Sequence, residues 1–311
     1  MQYGIVDLGS NSFRLEIFQV VDGQIQSLAY HKETIRLVAG LDANCYLTPE
    51  IQHRALEALS RFSLYLQNIN PFNIRAVGTQ TFRIARNAQT FLQKAEKVLG
   101  TTIQILSGDE EARLAYLGAT FQNTSTHTQN LVIDIGGGST EFALGTNTNI
   151  TATASLPIGC VNTTLRFASD GFFDTQRYED ARQKLDQEFR HVDIPLHHHN
   201  RILAFGAAGT FHALEDACIA LQWSDGKITH QDIQKMLRYV IKLKDLQKIQ
   251  FNFIRPDRRD VLIGGLLVVD AVFRFTNLPY IQPVRAGVRT GMLLDLLQKN
   301  NDKFYASYSI L

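Results

Sequence analysis

Two short segments of the chain carry the same order of chemistry-bearing residues. Val6-Asp7-Leu8-Gly9-Ser10-Asn11-Ser12 and Ile133-Asp134-Ile135-Gly136-Gly137-Gly138-Ser139 both read aliphatic, Asp, aliphatic, Gly, small, small or Asn, Ser, at a constant offset of 127 positions. A turn rich in glycine and serine presents backbone N–H groups and hydroxyls to one side, where they can cradle a phosphate, and glycine lets the anion approach closely. Gly136-Gly137-Gly138-Ser139-Thr140 is the stronger case, with three glycines and two hydroxyls in five residues. Gly9-Ser10-Asn11-Ser12 is its weaker twin. A plain hairpin turn accounts for either loop alone, and their repetition favours phosphate. A third turn, Gly206-Ala207-Ala208-Gly209-Thr210, can line the same cleft or simply carry a strand into a helix.

Asp7 and Asp134 stand at equivalent places just before the two loops. A carboxylate beside a phosphate repels it unless a cation lies between. Mg²⁺ suits that position, because it takes few protein carboxylates and keeps its waters. The competing structural role is an Asp bonding its own turn. The metal role is favoured more for Asp134 than for Asp7.

Ser107-Gly108-Asp109-Glu110-Glu111-Ala112-Arg113 opens a helix. Ser107 and Glu110 fit the S-x-x-E capping box, which gives Glu110 a structural task and leaves Glu111 free. The helix dipole favours an ionised carboxylate there, and such a group can take a proton from water, so Glu111 is a candidate general base. Its structural alternative is a solvated glutamate at a helix start. Glu141, just past the second loop, can point into the same cleft. Arg83 follows the strand Ile74 to Val77 and offers a planar fork to phosphate oxygens. Arg86 reads as a surface charge. Arg258, in Arg255-Pro256-Asp257-Arg258-Arg259-Asp260, can face an anion from a helix N-terminus. His197-His198-His199 reads as an exposed loop, since consecutive residues do not converge easily on one ion.

The elements that must hold these residues are legible around them. Each loop follows an apolar strand, Tyr3 to Val6 or Leu131 to Ile133. Each precedes an alternating segment, Phe13 to Phe18 or Thr140 to Leu144. That predicts a β-hairpin at the start of each half, and hence a duplicated domain with a cleft between the copies. Further strands are expected at 25–30, 74–78, 103–106 and 202–205. Thr48-Pro49-Glu50 starts a helix with Ile51, Ala55, Leu59, Phe62 and Leu66 on one face, and Thr90 to Leu99 forms another, stopped by Gly100. Helices are expected at 108–121, 160–168, 175–190, 208–222, 230–245, 258–275 and 287–299. The polar stretch Gln122 to Gln129 lacks apolar periodicity and divides the chain into an N-terminal domain, 1–124, and a C-terminal domain, 125–311.

Composition bounds the rest. The 311 residues suit two domains, and 45% hydrophobic with 20% charged residues excludes bulk disorder. Lys and Arg total 31 against 30 Asp and Glu, a net charge of +1, which argues against a dedicated nucleic-acid binder and leaves anion recognition to local geometry. No run of eighteen apolar residues predicts a membrane span, and no basic segment precedes the apolar N-terminus, so a cytoplasmic location is expected. Cys45, Cys160 and Cys218 lack CxxC spacing and read as buried or partly buried thiols.

The segments GIVDLGSNSFRL, ILSGDEEARLAYLG, VIDIGGGSTEF, LPIGCV and AFGAAGT, in order from residue 3 to about residue 291, resemble the exopolyphosphatase and guanosine pentaphosphate phosphohydrolase family in its short two-domain form. The resemblance implies an α/β fold of two ribonuclease-H-like domains of the actin-like ATPase superfamily flanking a cleft, with a last helix able to pack back on the first domain. It implies a phosphoanhydride hydrolase: Mg²⁺-dependent release of terminal phosphate from inorganic polyphosphate, with guanosine pentaphosphate as the alternative substrate. By resemblance Glu111 is the catalytic glutamate, Glu141 the second water-activating one, Asp134 the metal ligand and Arg83 the cleft arginine. A homodimer is implied in the same way. Arg259 departs from the family pattern R-A-D, which has a small residue there. Longer members carry a further C-terminal helical domain, so a chain ending at Leu311 is expected to prefer short or medium polyphosphate. Two rivals use the same loops: an actin-like-fold kinase for a sugar or small acid, and a polyphosphate- or alarmone-binding protein with little turnover. The Glu111 and Glu141 pair favours hydrolysis over pure binding, and the kinase would need an acceptor pocket as well.

Overall fold

In the computed structural model, which describes residues 1–123, 128–196, 202–249, 254–300 and 308–309, both repeated segments open a sheet as an antiparallel hairpin. The first half contributes β1 (Gln2–Leu8), β2 (Ser12–Val21), β3 (Gln24–Thr34), β4 (Ile74–Gly78) and β5 (Ile103–Ile105). The second contributes β6 (Gln129–Ile135), β7 (Thr140–Thr146), β8 (Asn149–Leu156), β9 (Ile202–Ala207) and β10 (Gln282–Pro283). The two sheets run in the same order. β3-β2-β1-β4-β5 corresponds to β8-β7-β6-β9-β10, with the hairpin strands antiparallel and the last two parallel to the first. This is the ribonuclease-H-like order, present twice. A short β11 (Tyr308–Ser309) adds to the outer edge of β3.

Helices cover the sheets. They are α1 (Pro49–Leu66), α2 (Gln80–Ile84), α3 (Ala88–Leu99), α4 (Gly108–Thr120), α5 (Cys160–Ala168), α6 (Thr175–Phe189), α7 (Ala208–Ala220), α8 (His230–Leu243), α9 (Pro256–Arg259), α10 (Leu262–Thr276) and α11 (Val288–Lys299). The helix starts follow local chemistry: the Thr48 hydroxyl accepts from the Ile51 N–H, and Pro49 sits in the first turn, where its missing N–H costs nothing. Gly100 ends α3 with φ 78°, a conformation that favours glycine.

Each half has its own core. Leu59, Phe62 and Phe91 of α1 and α3 pack on Val6, Leu8 and Leu15, while α10, buried nearly throughout, anchors the second half with Phe142, Phe189 and Phe211. The remaining faces are covered by exchange. Ala112, Ala115 and Tyr116 of α4 pack on Val132 and Ala143 of the second sheet, and Met292, Leu293 and Leu297 of α11 pack near Ile5 and Val77 of the first. The two helices touch backbone to backbone: a Cβ on Gly291 would lie 1.9 Å from the Leu114 carbonyl oxygen, and one on Gly118 would lie 2.0 Å from that of Gly287. Burying both sheet faces therefore ties the halves together along the base of the cleft.

Three expectations need correction. The helix expected over 258–275 is two helices, because the chain leaves helical geometry at Val261 (φ −116°, ψ 8°) and restarts at Leu262. The strand expected at 25–30 extends over Gln24–Thr34, since β2 pairs along its whole length. Cys45 is exposed, whereas Cys160 and Cys218 are buried. His197-His198-His199 and the middle of the Gln122–Gln129 stretch lie outside the described residues.

Candidate active site

The hairpin turns face each other across a cleft of about 920 Å³, counted out to its solvent mouth. The loops are in contact. A Cβ on Gly137 would fall 2.8 Å from the Asn11 backbone nitrogen, and one on Gly138 would fall 2.9 Å from Ser10 Oγ, so this approach requires glycine. Gly9, Ser10, Asn11, Ser12, Gly136, Gly137, Gly138 and Ser139 all line the cleft, as do Asp7, Asp134 and Glu111. The third turn reaches it through Ala208 and Gly209. Ala208 has φ 66°, a left-handed conformation rare for alanine, and a Cβ on Gly209 would overlap the Arg258 guanidinium.

Three expected site residues stand behind this surface. Thr140 is fully buried, and its hydroxyl donates to the Ile158 carbonyl at 2.6 Å, a structural task under the loop. Arg83 and Glu141 lie beneath Glu111. Arg83 Nη1 donates to Glu111 Oε2 at 2.8 Å and to the Leu106 carbonyl at 2.9 Å, Nε donates to Gln80 Oε1 at 2.8 Å, and Nη2 lies 3.6 Å from Glu141 Oε1. The guanidinium thus links the helix that carries Glu111 to the hairpin that carries Glu141.

The reading of Glu111 as a solvated or dipole-stabilised anion does not hold. Glu111 is 8% exposed, and burial lifts its pKa to about 7 against the pull of Arg83, with the charges of Asp134 and Asp7 adding to the rise. A base in that range can take a proton from water at neutral pH. Burial also raises Glu141, with the charge of Glu111 acting in the same direction. The capping box forms only in part. The Glu110 N–H donates to Ser107 Oγ at 3.2 Å, but the Glu110 carboxylate accepts from Arg113 Nε at 2.7 Å and Nη2 at 2.8 Å. Glu110 therefore orients Arg113, whose ion pair with Asp295 at 2.9 Å joins α4 to α11, away from the reacting groups.

The two aspartates differ. Arg14 Nη1 donates to Asp7 Oδ2 at 3.0 Å. Burial pushes Asp134 up to about 6, with Arg14 opposing and Asp7 contributing. Among the described residues no group of three or more His, Cys, Asp or Glu is arranged to cage an ion. An ion here would be held by one or two carboxylates, water and substrate oxygens. Such a donor set fits Mg²⁺, which Asp134 would hold, with Asp7, whose charge Arg14 already answers in part, as a second candidate.

Residues missed in the sequence complete the walls. Arg14, Lys32, Arg285 and Arg289 line the cleft beside Arg255 and Arg258. Arg289 Nε donates to Glu16 Oε2 at 2.9 Å, and its guanidinium lies 5.1 Å from the centroid of the Tyr30 ring. His212 also lines the cleft. Its Nε2 is 2.8 Å from the Val284 carbonyl oxygen, and burial lowers its pKa to about 4, so it contributes a neutral imidazole. Arg14 had a usable signal, because it lies directly opposite Asp7 once Gly9 to Asn11 is taken as a turn. The others come from distant parts of the chain.

The chain matches the model of the Ppx/GppA phosphatase family over residues 16–300. It is similar to the Ppx/GppA family member of Aquifex aeolicus (22% identity, 97% of this chain and 99% of that one covered, TM-score 0.79). It is also similar to an exopolyphosphatase from Cytophaga hutchinsonii (22% identity, 99% and 100% covered, TM-score 0.82). A third likeness is to an exopolyphosphatase-like protein (23% identity, 96% and 100% covered, TM-score 0.82). At these identities the three structures speak to the fold.

Proposed function

We propose, for a chain that belongs to the Ppx/GppA phosphatase family, that this cleft hydrolyses the terminal phosphoanhydride bond of inorganic polyphosphate. The observation that carries the reading is the division of charge in the cleft. Asp7, Glu111 and Asp134 form a carboxylate floor beside the two loops, and Arg14, Lys32, Arg255, Arg258, Arg285 and Arg289 line the walls. A protein with a net charge of only +1 has gathered cations around one site. That suits a substrate with repeated negative charge.

In this reading the loop N–H groups and the Ser10 and Ser139 hydroxyls hold the terminal phosphoryl group between them. Glu111 accepts a proton as water attacks the terminal phosphorus in line. The P–O bond to the rest of the chain breaks, giving orthophosphate and a chain shortened by one unit. Arg83, set between Glu111 and Glu141, holds Glu111 in place, and from behind it the guanidinium offsets charge at the moment of transfer. Mg²⁺, when bound at Asp134 with help from Asp7, would neutralise phosphate oxygens.

Guanosine pentaphosphate is the second reading. It is favoured by Tyr30, which lines the cleft at 47% exposure and gives a base a ring to stack on. Orthophosphate release from polyphosphates of graded length, from guanosine pentaphosphate, and from ATP with sugars, each with and without Mg²⁺, separates the readings. Release from polyphosphate at the highest kcat/KM supports the first and from the nucleotide the second. Phosphoryl transfer to a sugar would reject both.

A further inference from the structure

Building on the phosphohydrolase reading above, we propose that Ser155 is a positioning residue that fixes Glu141 and seats the helix carrying Glu111 against it. Three side chains lie in one row across the second sheet, because β6 pairs Asp134 with Glu141 and β7 pairs Glu141 with Ser155. Ser155 Oγ donates to Glu141 Oε1 at 2.9 Å. Glu141 is 1% exposed, and its Oε2 is buried without a hydrogen-bond partner. The hydroxyl therefore holds one oxygen of a carboxylate whose other oxygen stays open toward its neighbours. A buried carboxylate needs such anchors, and Ser155 shares the task with Arg83, whose Nη2 lies 3.6 Å from the same oxygen, and with the Ser139 side chain.

Ser155 also touches the other catalytic element. A Cβ on Gly108, the first residue of α4, would lie 2.3 Å from Ser155 Cβ and 2.5 Å from its Oγ. Gly108 is three positions before Glu111, so the start of α4 rests directly on the serine. The neighbouring contact, Thr153 Oγ1 to Asp109 Oδ1 at 2.9 Å, joins the same strand to the same helix without touching Glu141. Ser155 thus holds Glu141 from the β8 side and, through Gly108, sets the approach of Glu111.

Steady-state kinetics of five variants and two crystal structures test this. Ser155→Ala should lower kcat about ten- to a hundredfold while KM stays within about twofold, because it misplaces a group acting in the chemical step. Gly108→Ala, which pushes the serine from the opposite side, should give the same split. Thr153→Ala should leave both constants within about twofold. In a Glu141→Gln background, Ser155→Ala should cause no further loss, since its effect passes through that carboxylate. Crystal structures of the wild type and Ser155→Ala should show the Glu141 carboxylate displaced in the variant. An unchanged kcat in Ser155→Ala, an additive loss in the double variant, or a Glu141 that keeps its place would each overturn the proposal. A wild-type protein that releases phosphate from no substrate overturns the functional reading instead, and the crystal comparison still decides whether Ser155 places Glu141.

Discussion

Arg14 and Glu141 occupy the same position in the two copies of the duplicated hairpin. Arg14 lies opposite Asp7 across β1 and β2, and Glu141 lies opposite Asp134 across β6 and β7. The first pair is an ion pair at 3.0 Å, and the second sets two carboxylates side by side. On the first side the arginine satisfies the aspartate. On the second, burial pushes both carboxyls up, with Asp7 adding to the rise at Asp134 and with Glu111 and Asp134 adding to it at Glu141. One difference of charge type at a repeated position makes a symmetric scaffold electrostatically asymmetric.

Glu111→Gln should reduce phosphate release at least about a hundredfold, the usual worth of a general base, while substrate binding by the inactive protein is retained. In the wild type, kcat should fall as pH drops through about 7, because burial has raised the base to that range. Glu110→Gln should stay within about threefold, since its partners, Arg113 of α4 and Arg75 of β4, stand in the Asp295 brace away from the reacting groups. Phosphate-release assays of both variants across pH provide the check.

The same burial has a stability consequence of definite sign. A carboxylate whose folded pKa lies above its unfolded value binds more protons when folded, so it lowers stability as pH rises through the interval from about 4.5 to about 7. Metal-free Glu111→Gln should therefore gain stability relative to the wild type at pH 8 compared with pH 5, by on the order of 2 kcal/mol. Urea unfolding at the two pH values measures the difference, and an equal effect at both would contradict the buried-carboxylate assignment.

Arg83→Met should lower kcat and move the acid limb of its pH profile upward. The arginine pulls Glu111 down, so its loss leaves burial less opposed. Arg83→Lys should recover part of the shift but not the full rate, because an ammonium cannot serve Glu111, Gln80 and the Leu106 carbonyl together. An acid limb that stays in place in Arg83→Met would remove the coupling.

Asp134→Asn should raise the Mg²⁺ concentration needed for half-maximal activity by about tenfold or more, with a smaller change for Asp7→Asn, whose carboxylate already pairs with Arg14. Metal titrations of the two variants should separate in that order. Identical curves for wild type and Asp134→Asn would exclude it as a ligand.

Gly291→Ala should destabilise the protein by about 3 kcal/mol, because the added methyl meets the Leu114 backbone rather than a side chain that could rotate away. Denaturant unfolding gives the value, and a loss under about 0.5 kcal/mol would mean that α4 and α11 separate more easily than their contact implies.

The features of this protein that depend on neighbours along the chain were legible before any fold was known. The 127-residue repeat, the glycines of both loops, the helix starts at Thr48 and Ser107 and the placement of Asp7 and Asp134 are local patterns, because turns, caps and strand alternation are set within a few residues. Glu111 was legible as a first-turn acid, but its burial was not, since α4 is enclosed only when it packs on the other half's sheet. The same limit applies to Arg289, Arg285 and His212, which reach the cleft from positions far from either loop. It applies to Thr140 as well, whose hydroxyl turns to the Ile158 carbonyl instead of the substrate. Which acids are buried, which arginines answer them and which serine holds Glu141 follow from packing, because desolvation and contact between elements arise only when separate segments are brought together, from 14 residues apart for Ser155 and Glu141 to 273 for Arg289 and Glu16.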